Sequence, residues 1–279
     1  MRPANVVTAH ADILAGYAAA GATNGVHLFL LLAATTGLYG GGVVFNDVFD
    51  AKLDAVERPE RPIPSGAVSE KVASTFGGLL LGVGVMFAWL CSPVSGAVAL
   101  ATGASALVYD RFGKHHPLLG PMNMGLCRGL NLMLGLSAVA EASATHWPVA
   151  MITLCYIAGI TSLSRGEVLG GTRTAASIAA IWLVGSLAAA VGVAVSQGTR
   201  VMFAVPFFAL LLYRIAGPFW RAFRSLNAAD IRVAVKAGIL SLIVLNASIA
   251  AVFAGFWYGA AVLLLYVPAM ALAKMFAVT

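Results

Sequence analysis

Ten apolar runs, most of them long enough to cross the hydrocarbon of a bilayer, decide what this chain can become. They cover about 5–21, 26–45, 70–91, 94–109, 118–140, 147–163, 174–196, 201–217, 233–254 and 257–274. A backbone in lipid must satisfy its own N–H and C=O groups, and none of these runs alternates strictly, so each is expected to be a helix. Only 10% of the residues are charged, against about 25% in soluble domains. The expectation is therefore an all-α, multi-pass membrane bundle forming one domain over residues 1–279. Small residues at close spacing, as in GGLLLGVG (77–84), suit tight helix packing in lipid. Residues 1–21 show no compact apolar core with a small-residue cleavage site, so no cleavable leader is expected. Cys91, Cys127 and Cys155 fall in apolar segments without a CxxC pairing and read as packing residues.

The basic residues orient the bundle. With the N-terminus in the cytoplasm and every segment crossing, the cytoplasmic regions hold Arg2, Lys52, Arg58, Arg61, Lys71, Arg111, Lys114, Arg165, Arg173, Arg214, Arg221, Arg224, Arg232, Lys236 and Lys274. Outer loops hold only Arg200, and Arg128 lies inside a segment. Such asymmetry is the positive-inside pattern. It accounts for the net charge of +6 without a nucleic-acid partner.

Against this apolar background the stretch NDVFDAKLDAVERPERPIPSG (46–66) stands out. Asp47, Asp50 and Asp54 are spaced i, i+3, i+7, which puts three carboxylates on one helical face. Unpaired, they would repel, so a cation is expected among them. Calcium asks for more oxygen ligands and a glycine turn. Magnesium takes one or two carboxylates and fills its shell with water and phosphate oxygens. Arg58 and Arg61 can bind phosphate directly, and the set describes a Mg²⁺–diphosphate site. A solvated acidic-basic loop is the plain alternative. RPIPSG stops any helix and forms a turn able to hold Arg61 near the aspartates.

Two further stretches carry polar groups. In YDRFGKHHPLLGPMNMGLCRGLN (109–131) Lys114 can reach a phosphate and Tyr109 offers a hydroxyl. Asn123, Arg128 and Asn131 share one apolar segment. An intramembrane arginine faces a cavity or a partner, so Arg128 either touches substrate or pairs with an internal carboxylate such as Asp12. His115 and His116 read as interfacial loop residues rather than metal ligands. In TSLSRGEVLGGTRTA (161–175) Glu167 stands alone among glycines, as suited to a capped loop as to a site.

The pattern N-D-x-x-D-x-x-x-D followed by R-P-x-R-P-I-P-S-G resembles the first aspartate-rich motif of the UbiA superfamily of intramembrane prenyltransferases. RPANVVTA at the N-terminus and NMGLCRGLN resemble other parts of that family, up to about residue 254. The resemblance implies nine transmembrane helices around a central cavity; the tenth run is an addition or a miscounted hairpin. It also implies two facing aspartate motifs holding Mg²⁺ and a prenyl diphosphate. On this reading Asp47, Asp50, Asp54 and Glu167 are the catalytic, metal-binding carboxylates. Asn46, Arg58, Arg61, Tyr109, Lys114, Asn123 and Arg128 bind substrate. The second motif departs from the pattern: aligned on Gly166, Gly171 and Thr174, Glu167 takes its second aspartate and Leu163 its first. The SRGEV run resembles the EboC-like branch.

The function implied is Mg²⁺-dependent transfer of a prenyl group from its diphosphate to a lipophilic, commonly aromatic acceptor, with the active-site loops at the cytoplasmic face of the cell (inner) membrane. Tyr39 and Phe45 are candidates to face a carbocation. The rival readings are a cyclase, a phosphoribosyl-type transferase acting on a polyprenyl phosphate, and a non-catalytic isoprenoid carrier.

Overall fold

The computed structural model describes residues 3–114 and 116–276; Arg2 and His115 lie outside them. Among the described residues the chain is helical throughout, with no strand. The helices are α1 (Pro3–Ala19), α2 (Gly25–Phe49), α3 (Ala51–Glu57), α4 (Glu70–Cys91), α5 (Pro93–Val108), α6 (Leu119–Leu136), α7 (Ala140–His146), α8 (Pro148–Ser164), α9 (Arg173–Ser196), α10 (Val201–Ser225), α11 (Ala228–Ala254), α12 (Phe256–Leu264) and α13 (Tyr266–Met275). Each of the ten apolar runs is found as helix. The last is broken at Leu265, and the 118–140 run ends early, at Leu136.

Side-chain caps set many of these boundaries by satisfying N–H groups that a first turn leaves open. Asn24 Oδ1 accepts from Val26 N at 2.9 Å, Ser92 Oγ from Ser95 N at 3.0 Å, and Asn227 Oδ1 from Asp230 N at 2.8 Å. Gly255, at φ 91°, ends α11 in a conformation that suits glycine.

The hub of the bundle is α11, buried continuously from Leu240 to Val252 and packed against α1, α8, α10, α12 and α13. α1 lies between α11, α6 and α2. Its approach to α6 depends on two glycines: a Cβ on Gly16 would stand 2.1 Å from Leu132 O, and one on Gly135 2.3 Å from Ile13 O. Within GGLLLGVG only Gly77 and Gly84 serve the α2–α4 contact, whereas Gly78 and Gly82 face open space.

Among the described residues, six helical spans are long and apolar enough to cross a membrane, or seven if α7 and α8, bent by 60°, form one crossing. This is fewer than the nine or ten expected: α1 and α5 are only 17 and 16 residues long. The outer surface is apolar, with Phe29, Leu79, Ile181, Tyr213 and Trp257 exposed. A soluble fold would not carry such a belt; this chain is a multi-pass integral membrane protein.

Candidate active site

One end of the bundle gathers the polar loops. Lys114 pairs with Asp50, Arg165 Nη1 lies 3.5 Å from Lys114 O, Arg232 Nη1 donates to Glu167 O at 2.9 Å, and Gly171 N donates to Leu226 O at 2.8 Å. Residues 46–66, 109–114, 116–118, 164–172 and 226–232 thus share one face of the molecule.

Beneath that face lies a cavity of about 530 Å³ between α2, α5, α6 and the turn after α3. Its α2 wall runs Thr35, Leu38, Tyr39, Gly42, Val43, Asn46, Asp47, Asp50. These positions recur every three to four residues and so form one helical stripe, about 22 Å long at 1.5 Å per residue. The stripe is polar at both ends and mostly apolar between. Facing it are Thr102 and Ala106 of α5 and Met124, Cys127, Arg128 and Asn131 of α6.

At the mouth, the aspartates are matched by cations. Arg61 Nη1 bridges Asp54 at 2.7 Å and Asp47 at 3.3 Å. One guanidinium thus joins Asp47 of α2 to Asp54 of α3, across the break at Asp50. The chain reverses after α3 in a turn closed by Arg61 N donating to Arg58 O at 3.1 Å, and this returns Arg61 to the aspartates. Asp54 is 3% exposed and reaches the cavity only through Arg61. Asp50 ends α2 and pairs with Lys114. Arg58 is exposed and does not line the cavity.

α5 passes into a π turn, Tyr109–Gly113, closed by Lys114 N donating to Tyr109 O at 3.0 Å. The wider turn lets Tyr109, Asp110 and Lys114 all line the cavity. In an α-helix, Lys114 would sit roughly 140° round from Tyr109. Asp110, passed over in the sequence, is 6% exposed and accepts from Asn46 Nδ2 at 2.8 Å. Its one sequence signal was an acid beside Tyr109 at the end of an apolar run. Asn123, expected at the substrate, does not line the cavity. Its amide seats the π turn, with Oδ1 accepting from Tyr109 N and Nδ2 donating to Ser105 O, both at 3.1 Å.

Arg128 pairs with Asp12 at 3.1 Å, one of the two roles its sequence left open, and also lines the cavity. Asp12 is fully buried and accepts from Asn131 Nδ2 at 3.0 Å and Asn246 Nδ2 at 2.6 Å. Thr8 Oγ1 accepts from Arg128 Nη2 at 3.0 Å, and Thr35 donates to Asn131 Oδ1 at 2.6 Å. The deep end of the cavity is therefore a polar network joining α1, α2, α6 and α11.

The 161–175 stretch is not brought to the aspartates. Its loop is docked on the start of α11 through Gly171–Leu226 and Arg232–Glu167, and Glu167 does not line the cavity. Leu163 is 2% exposed in the apolar core that also holds Ile231. Glu167, expected as a metal ligand, thus stands outside the lining of this cavity. Among the described residues no three acidic, histidine or cysteine side chains converge in a metal-binding group. His116 caps its own loop, Nδ1 accepting from Leu119 N at 3.1 Å. Tyr39 faces the cavity, but Phe45 packs on Phe49.

Residues 8–213 match the UbiA prenyltransferase family. The chain belongs to that family. It is 39% identical over 98 residues to the digeranylgeranylglyceryl phosphate synthase of Methanosarcina mazei, covering 35% of this chain and 34% of the relative. With the enzyme of the same name from Methanothrix thermoacetophila it shares 33% over 167 residues, covering 59% and 60%. The chain thus spans less than two thirds of either curated relative. A UbiA homolog from Aeropyrum pernix K1, in its apo structure, superposes with a TM-score of 0.72 at 17% identity, over 88% of this chain and 96% of that one. The likeness in structure is one of fold. The UbiA match spans α2, α5 and α6, and so takes in the helical walls of the cavity and both polar ends.

Proposed function

We propose that this chain is a single membrane domain that transfers a prenyl group from a prenyl diphosphate to a lipophilic acceptor, dependent on Mg²⁺, with the polar mouth on the cytoplasmic side. The observation that carries the reading is the make-up of one cavity: carboxylates and cations at its mouth, an apolar wall behind them.

The donor set fits Mg²⁺. Asp47 and Asp50 line the cavity, with side chains 39% and 20% exposed, and Mg²⁺ typically takes one or two carboxylates and completes its shell with phosphate oxygens. At the mouth Asp47, Asp50 and Asp110 outnumber Arg61 and Lys114, and Arg61 is shared with Asp54, so a diphosphate entering alone would meet repulsion. Bound Mg²⁺ would supply Lewis-acid stabilisation of the charge that builds on the leaving diphosphate.

The chain's own side chains do the rest. Arg61 and Lys114 exchange carboxylate partners for phosphate oxygens and stabilise the departing pyrophosphate. Leu38, Gly42, Val43 and Ala106 line the path of the isoprenoid tail and keep water from the allylic cation, and the Tyr39 ring is placed to face it.

The acceptor expected from the family resemblance was an aromatic ring. The relatives are named for a product that contains glyceryl phosphate, and this favours an alcohol acceptor on a phosphate-bearing lipid. A carrier without catalysis is the second reading, favoured by Leu163 in the apolar core and Glu167 away from the cavity.

The deciding experiment incubates the purified protein with Mg²⁺, geranylgeranyl diphosphate and, in separate reactions, geranylgeranylglyceryl phosphate or 4-hydroxybenzoate. Pyrophosphate release with a prenylated glyceryl lipid is expected. Tight binding without release would establish the carrier; a prenylated ring would return the acceptor to the aromatic class.

A further inference from the structure

We propose that Asp110 is a positioning residue of the cavity mouth: it fixes the amide of Asn46 so that Asn46 presents its carbonyl oxygen toward the Mg²⁺–diphosphate. The inference rests on the function proposed above and adds to it a residue outside both aspartate motifs.

The geometry begins with two polar rungs between α2 and the π turn. Asn46 meets Asp110, and Asp50 meets Lys114. Both partners advance by four residues from one rung to the next, and Asp47 lies between the rungs on the cavity wall. The wider pitch of the π turn brings Asp110 and Lys114 to the same wall, and such turns recur where a helix serves a site.

The first rung has a definite sense. A carboxylate only accepts hydrogen bonds, so Asn46 must turn Nδ2 toward Asp110. The same planar amide then leaves Oδ1 as the atom Asn46 offers to the cavity that it lines. A carbonyl oxygen beside Asp47 is a hard donor of the kind Mg²⁺ accepts. With an amide at position 110 the pair could bond in either sense, and the oxygen would no longer be held outward.

Asp110 is almost wholly buried, at 6% exposed, which is costly for a carboxylate without donors. A residue kept only for packing at the end of α5 would not need that charge. Its charge has a use if it orients Asn46.

The test uses the full chain in nanodiscs, with binding of geranylgeranyl thiolodiphosphate followed by calorimetry across a MgCl₂ titration. Asp110→Asn is expected to raise the half-saturating Mg²⁺ concentration about ten-fold, the usual effect of losing a partner that orients a metal ligand. The exchange Asn46→Asp/Asp110→Asn rebuilds the rung with its donor and acceptor reversed, and again leaves an oxygen facing the cavity. It is expected to return Mg²⁺ dependence to within about three-fold of wild type, whereas Asn46→Asp alone sets two carboxylates face to face and binds worse. Unchanged Mg²⁺ dependence in a folded Asp110→Asn protein would overturn the inference. So would an exchange variant no better than the single change; should Asp110→Asn fail to fold, the exchange variant decides alone. A wild type that binds the analogue without regard to Mg²⁺ would instead remove the proposed function beneath it.

Discussion

Asp12 and Arg128 meet at 3.1 Å between α1 and α6, with the aspartate wholly buried and the arginine 8% exposed. Charges at this depth persist only when paired and hydrogen-bonded, and Asn131 and Asn246 complete the aspartate's shell. Arg128→Ala would strand the carboxylate, and the expected loss is about 3–5 kcal/mol of stability. The double change Asp12→Asn/Arg128→Met removes both charges and should cost less than Arg128→Ala alone. Unfolding of the purified protein in mixed micelles, followed by tryptophan fluorescence, measures both. A double change that costs as much as Arg128→Ala, or more, would mean that the pair is not coupled.

Lys114 and Asp50 form the second rung at the mouth, and this contact makes opposite demands on metal and substrate. Without Lys114 the Asp50 carboxylate is open to Mg²⁺, while the diphosphate loses a cation. Lys114→Ala is therefore expected to strengthen Mg²⁺ binding in the absence of diphosphate and to weaken diphosphate binding about ten-fold or more, the scale of one charge-assisted hydrogen bond. Mn²⁺ as a paramagnetic probe reads the first effect and calorimetry the second. Movement of both in the same direction would contradict the exchange of partners.

Much of this architecture is legible from residue order. The run at 70–91 coincides with α4, Glu70–Cys91, because apolar length and a Ser69 cap are local properties. The sequence also put Arg61 near the aspartates, although the turn that places it, closed on Arg58, precedes the prolines named for it. Asp110 was not legible, since a π turn departs from the 3.6-residue period by which a helical face is read. For Arg128, the sequence named Asp12 but could not choose it. The choice depends on α1 and α6 closing at Gly16 and Gly135, residues 119 positions apart. The surroundings of Glu167 were hidden for a similar reason: the docking of its loop on Leu226 and Arg232 is a long-range contact.

The face that gathers the polar loops carries Arg61, Lys114, Arg165 and Arg232, and by the positive-inside rule it should be the cytoplasmic one. Ala55 is exposed on that face, in α3, and Glu141 is exposed at the far end, in α7. In a background with Cys91, Cys127 and Cys155 replaced, Glu141→Cys should react with an impermeant maleimide in intact cells, and Ala55→Cys only after lysis. The reverse pattern would invert the bundle.

Leu163 offers the sharpest separation between the family pattern and this chain. If the 161–175 loop faced the first motif as that pattern implies, Leu163→Asp would restore a carboxylate and raise Mg²⁺ affinity. In the structure Leu163 is 2% exposed and packed in the core of α8 and α11, where a lone carboxylate has no partner. The expected outcome of Leu163→Asp is a loss of about 3 kcal/mol or more in stability, with no gain in Mg²⁺ binding by the protein that remains folded. Glu167→Gln, away from the cavity, should change Mg²⁺-dependent diphosphate binding by less than about three-fold, whereas Asp47→Asn should weaken it about ten-fold or more. Calorimetry on the three folded variants decides. A stable Leu163→Asp protein with tighter Mg²⁺, together with a Glu167→Gln protein as impaired as Asp47→Asn, would show that the loop leaves α11 and closes over the cavity when substrate binds.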